Sequence, residues 1–167
     1  MATGSLPVLH SSAMKLAEAL ILRSDRKRLY EQLRTRAQAG ARYQEGETPA
    51  EDAQVLTAAA QDALTELQDL IRRINVTNAS ATIADGTTLT AALAERDVLR
   101  LRYQLLTTVA DAGAGHGQMR QMRTELKFVS AVDVKRLRDE ANDVARRHRE
   151  LDARIQEANW TVDLVED

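Results

Sequence analysis

Three observations predict an all-α protein of about four long helices, arranged as elongated hairpins or a bundle. The 167 residues include two prolines and one phenylalanine, with aromatics at 3% and charged residues at 29%. Ala, Leu and Arg dominate instead, helix formers that leave too little aromatic bulk for an ordinary compact core. Between residues 134 and 158, apolar positions alternate four and three apart: Val134, Leu137, Ala141, Val144, Leu151, Ile155 and Ala158, with His148 the one polar member. Side chains so spaced stack on one helical face and lay a narrow seam against another helix. Leu56, Ala60, Ala63, Leu67, Leu70 and Ile74 repeat the spacing, giving that seam a partner within the chain as well as across a subunit boundary. Narrow Leu/Ala seams bury little area per residue, so self-association is the natural way to complete the burial.

Residues 1–13 are irregular and lack the basic start and apolar run of a signal peptide, so they read as an expression leader. Helical patterning begins at Met14, and residues 14–167 are expected to form one helical domain. Helix one is expected over residues 15–39. Its charged centre, with Arg23, Asp25, Arg26, Lys27 and Arg28, reads as a solvated face, and Gly40 ends it. Thr48, Pro49 and Glu51 make a start signal for helix two: a threonine cap, a proline at the first helical position and a glutamate that reaches back. That helix should fray near residues 75–78, where Asn, Val and Thr replace the strong helix formers.

Asp85 and Gly86 form a turn pair, and either Thr88 or Thr90 can cap helix three, placed at residues 89–112. Val98, Leu99, Leu101, Tyr103, Leu105, Leu106, Val109 and Ala110 make this helix apolar on more than one side. So wide a surface calls for two partners, one within the chain and a second that another subunit can supply. Gly113, Gly115 and Gly117 mark a flexible connector. Leu126, Lys127, Phe128 and Val129 then alternate like a short strand, as do Trp160 to Leu164, and the two are expected to pair with each other across helix four or between subunits. Ser130 to Asp133 cap helix four, and Trp160 should anchor the packing at its far end.

Charge and chemistry exclude more than they assign. A formal net charge of −2, with both signs interleaved turn by turn, gives no long-range field for nucleic acid or anionic lipid. The arginines of helix four alternate with Asp and Glu on adjacent turns, a pattern that sets helix partner and register. No run approaches the ~20 apolar residues of a membrane-spanning helix, and cytoplasmic residence follows as the default. Cysteine is absent, which removes disulfides and thiolate chemistry. Of three histidines, His10 lies in the leader and His116 in the glycine-rich connector; only His148 sits in a patterned helix. Ala145 stands where a Glu-x-x-His metal motif would need glutamate, and Asp152 is His148's nearest carboxylate in the same face's register. His148 is expected to be a structural or interface residue, or a pH-sensitive one if assembly buries it. The glycines lack a phosphate-loop context and no serine sits in an elbow motif. No catalytic residue, cofactor or metal is expected, and the interface candidates are Leu137, Val144, His148, Leu151, Ile155, Trp160, Phe128 and Leu105.

Several strings taken together resemble a known family: Met14-Lys-Leu-Ala-Glu-Ala-Leu, Asp69-Leu-Ile-Arg-Arg-Ile-Asn-Val-Thr-Asn, Asp85-Gly-Thr-Thr-Leu-Thr, Arg96-Asp-Val-Leu-Arg-Leu-Arg, Phe128-Val-Ser-Ala-Val-Asp-Val and Leu151-Asp-Ala-Arg-Ile-Gln-Glu-Ala-Asn-Trp. They are similar to small bacterial helical proteins labelled septicolysin. The resemblance spans residues 14–164 and implies a helical fold without assigned catalytic residues, and the label implies a membrane-active cytolysin. Read from its residues alone, the chain is expected to be a non-enzymatic helical homo-oligomer.

Overall fold

The computed structural model describes residues 13–115 and 129–166. Among them are four helices, α1 (Leu16–Gly40), α2 (Ala53–Ser80), α3 (Leu89–Gly113) and α4 (Val134–Thr161), and no strand. The only extended pairing among these residues is two isolated antiparallel bridges, Lys15 with Asp163 and Thr82 with Thr88. The all-α class read from the sequence is the observed one. The described residues divide into two compact units, one of those up to Ser80 together with those from Asn159 onward, the other of those from Ala81 to Ala158.

In the first unit, α1 and α2 form an antiparallel hairpin. Its ion pairs run in opposite directions along the two helices, Arg26 to Glu66 at 2.6 Å and Arg36 to Glu51 beside the connecting loop. Between them Leu33, Leu56 and Ala60 are buried, with Tyr30, Ala37 and Ala59 packed around them. Ala63, Leu70 and Ile74 continue the inner face of α2, as the 4-3 spacing requires.

α2 begins four residues after the expected Pro49. Asp52 is its cap: one carboxylate oxygen accepts from the Gln54 amide at 2.8 Å and the Val55 amide at 3.3 Å. Glu51, expected to close the Thr48 capping box, instead makes a two-point ion pair with Arg36. Held at two points by the guanidinium, the Glu51 carboxylate does not reach back to cap residue 48, and Asp52 supplies the cap one residue on. The contact holds the Glu51 carboxyl below its ordinary range and raises the Arg36 guanidinium.

The other end of α2 does not fray at residues 75–78 but runs to Ser80. Thr77 explains why. It is 1% exposed, its hydroxyl donates to the Arg73 carbonyl at 2.8 Å, and the same oxygen accepts from the Val165 amide at 3.0 Å. Arg73 Nε in turn donates to the Val165 carbonyl at 3.0 Å, so the C-terminal segment and the end of α2 satisfy each other's polar groups. Tertiary partners override the weak local propensity of Asn-Val-Thr-Asn.

The C-terminal segment also pairs with the entry to α1. Leu16 donates its amide to the Val162 carbonyl at 3.0 Å and Leu164 donates to the Met14 carbonyl at 2.7 Å. Lys15 Nζ donates to the last helical carbonyl of α4, Thr161, at 3.1 Å and to Asp163 at 2.6 Å. A lysine there completes the free carbonyls at a helix C-terminus and complements their partial negative charge. The expected strand pairing of 160–164 with 126–129 is therefore corrected: the extended stretch starts after Thr161, its partner is residues 14–16, and residues 126–128, Phe128 included, lie outside the described residues. Trp160 belongs to the last turn of α4 and is 58% exposed, not a packing anchor. Ala158 points inward, and two residues on is about 200° around the helix, so Leu164, 2% exposed, fills the junction instead.

In the second unit, residues 81–88 fold into a tight turn ahead of α3. Ile83 is buried, its amide bonds to the Thr87 carbonyl at 2.9 Å, and the Leu89 amide bonds to the Ala81 carbonyl at 2.9 Å. Gly86, at φ 82°, occupies the left-handed region that favours glycine. Asp85 accepts from the Thr87 amide at 2.9 Å and from Arg154 at 2.6 Å. The Thr87 hydroxyl first, then its amide and Arg154, hold the Asp85 carboxyl below the usual aspartate range. Of the two threonines that could cap α3, Thr88 does so, accepting from the Ala91 amide at 3.3 Å.

α3 and α4 also run antiparallel, with Arg96 facing Asp152 at 3.5 Å and Asp111 facing Arg138 at 3.7 Å. Ala92, Leu99, Leu106 and Ala110 are buried on α3, and Ala141, Val144, Leu151 and Ile155 on α4. Asp133 caps α4 through the Arg136 amide at 2.9 Å, as expected. Gly113 closes α3 where Ser130, Val132 and Val134 cross it. A Cβ there would lie 2.7 Å from the Val132 side chain and 2.9 Å from the Ser130 hydroxyl, so any other residue would have to displace those side chains.

Two stability measurements check these local accounts. Asp52→Ala should cost about 1 kcal/mol in chemical denaturation while Thr48→Ala is nearly neutral; the reverse order would restore the earlier start of α2. Thr77→Val keeps the shape but leaves the Val165 amide without its acceptor, and should cost about 1–3 kcal/mol with lost exchange protection at Val165. Unchanged protection there would remove the clasp as the reason α2 reaches Ser80.

Candidate interaction surfaces

The expected interface residues fall into three groups. Val144, Leu151 and Ile155 are buried in the chain itself, at 3, 2 and 1% exposure. The helix-four seam is thus occupied by the protein's own packing, and an aspartate at Leu151 would test folding rather than assembly. Leu137 and His148 are half-buried on the edge of that seam. Asp152, one turn from His148, is engaged by Arg96. Leu105 and Trp160 are exposed, and Phe128, like His10 and His116, lies outside the described residues.

Part of the exposed charge is committed within the chain. Arg28 pairs with Asp25, Arg72 with Asp69, Lys135 with Asp139 and Arg146 with Asp143, each one helical turn apart. Asp139 accordingly raises the Lys135 ammonium. Such exposed pairs, screened by solvent, contribute little to stability. Among the described residues no three His, Asp or Glu side chains come together as metal ligands would.

Two apolar features remain on the surface. Where α1 and α2 meet near their connecting loop, a groove of about 720 Å³ is lined by Tyr30, Ala37, Ala41, Ala53, Ala58 and Leu64. Arg34 lies over the Tyr30 ring at 5.9 Å, its charge facing the ring's negative face at the groove's rim. The small residues of this region bring the helices together closely and leave the Tyr30 and Leu64 side chains as its walls.

The second feature is the outer side of α3. Val98, Leu101 and Leu105 are 52, 57 and 63% exposed, although Leu99 and Leu106, their immediate neighbours, are buried. Ala91, Ala94, Thr108 and Ala112 are exposed in line with them. Together these seven positions advance by three and four residues in strict alternation, a seam about 32 Å long facing away from the buried one. The width of this apolar surface, Leu105 included, is legible in the sequence; the membership of Val98 and Leu101 in one continuous seam is not. Their spacing was the available signal. It is masked in sequence because the inner seam on the same helix interleaves with it. No helix among the described residues is long and apolar enough to cross a membrane.

Comparison with known proteins places the chain. No curated protein matches it. A crystal structure of a functionally unknown conserved protein from Corynebacterium diphtheriae is 36% identical, with a TM-score of 0.85 over 92% of this chain and 100% of that one. Residues 23–164 match a family described as a family of unknown function, DUF6847. These findings overturn the septicolysin resemblance, since neither the family nor the solved structure carries that label, and the cytolytic expectation drawn from it falls as well. The strings that suggested it hold the Asp85-Gly86 turn, the end of α2 and the α4 seam, positions that build a fold and carry no chemistry of their own. The chain belongs to the DUF6847 family of unknown function.

Proposed function

We propose that this chain is a non-enzymatic helical module that acts by associating with copies of itself. The observation that carries this reading is the line of large apolar side chains, Val98, Leu101 and Leu105, left more than half exposed on a helix whose inner face is already packed. Single exposed apolar residues are ordinary on any surface. A contiguous row of them marks a place where another macromolecule sits. The absence of an enzymatic role is supported by where the chemistry-bearing groups are spent: Asp52 and Asp133 on helix caps, Asp85 on a turn, Glu51 and Asp152 on arginines, Lys15 on a helix end. Balanced charge and interleaved ion pairs argue in the same direction against a nucleic-acid or anionic-membrane partner. Cytoplasmic residence accords with this reading.

Light scattering of the purified chain across a hundredfold concentration range tests it. The expected result is a mass of two or more chains, falling towards one on dilution. A single-chain mass at every concentration, up to millimolar, would refute self-association.

A further inference from the structure

We infer that the outer seam of α3 is the self-association surface and that two copies of α3 pair along it antiparallel. The inference rests on the self-association proposed above and adds to it a surface, a direction and a register. A seam with strict four-and-three spacing fits another helix rather than a sheet edge or a small ligand, because knobs at that period fill the holes of a facing helix.

Side-chain size selects the direction. In an antiparallel pair, Val98 of one copy lies across from Leu101 of the other, Leu105 from Ala94, and Ala91 from Thr108. Every layer then combines a larger with a smaller side chain, which keeps the two helices at an even distance. A parallel pair would stack Ala91 on Ala91 and Ala94 on Ala94 at one end and Leu on Leu at 101 and 105, leaving gaps beside bulges.

Charge fits the same register, whereas a parallel pair would set Arg102 beside Asp97, which Arg96 already holds. The positions flanking the seam on one side are Glu95 and Arg102, and antiparallel pairing sets Glu95 of each copy beside Arg102 of the other. Neither residue has an ion-pair partner among the described residues, whereas the neighbouring Arg96 is held by Asp152 and Asp97. Two complementary pairs therefore form across the two-fold axis without breaking any contact of the single chain. On the seam's other flank Asp97 meets the neutral Gln104, and Asp111 meets Thr90, so no like charges oppose each other.

Leu105→Glu tests the surface, because Leu105 is 63% exposed and its replacement leaves the helix content intact by circular dichroism. It should weaken association about a hundredfold, as two carboxylates enter an apolar layer. Charge swaps test the direction. Glu95→Arg and Arg102→Glu should each weaken association, and the two swaps in one chain should restore it to within about threefold of the natural protein. In a parallel pair the double swap would set the carboxylate introduced by Arg102→Glu against Asp97 of the other copy, and association would stay weak. Undiminished association of a folded Leu105→Glu chain would overturn this surface while self-association itself stands. A natural chain that is monomeric throughout would overturn both.

Discussion

Narrow apolar faces on long helices are the constraint from which this structure follows. A helix with Leu or Ala at every third and fourth position presents a strip about one side chain wide, and burying that strip needs a helix of matching period lying alongside. Both hairpins answer this need in the same way. Small residues such as Ala60, Ala63, Ala92, Ala110 and Ala141 are buried between larger neighbours, and ion pairs at the edges hold the direction of pairing. Little area is buried per residue, so each helix end must also be secured.

The ends are secured by polar groups of the chain itself. Lys15 and the 162–165 segment satisfy the start of α1 and the ends of α2 and α4 together, with Thr77 as the one buried polar side chain among the described residues. In the other unit the Asp85 turn and the crossing at Gly113 do the corresponding work. Asp52, Asp85, Asp133, Glu51 and Lys15 are all engaged in this way, on helix caps, a turn, an arginine and a helix end.

The helices, their order and several of their ends were legible in the sequence because they depend on period and on local hydrogen bonding. The Gly86 turn, the Asp133 cap and the buried Val144, Leu151 and Ile155 are all local or periodic facts. The start of α2 was misread since Glu51 is claimed by Arg36, a residue fifteen positions away whose competition no local rule reveals. The persistence of α2 through Asn75 and Thr77, and the partner of the C-terminal segment, depend on contacts of 88 residues or more and left no trace in spacing. The site was half legible. A helix apolar on two sides was evident, but which of its two seams is filled by the chain and which is left outside is decided only when α4 takes the inner one.

The central claim, that two α3 helices lie side by side and antiparallel, has a direct measurement in a chain that contains no cysteine. A spin label attached through Ala112→Cys, at the end of the seam, reports the distance between copies by pulsed dipolar spectroscopy. The antiparallel register separates the two labels by about 38 Å along and across the pair, from the helical rise and the usual spacing of packed helices. A distance distribution centred there supports the account. A distance below about 15 Å, as parallel helices would give, or no dipolar coupling between copies, contradicts it.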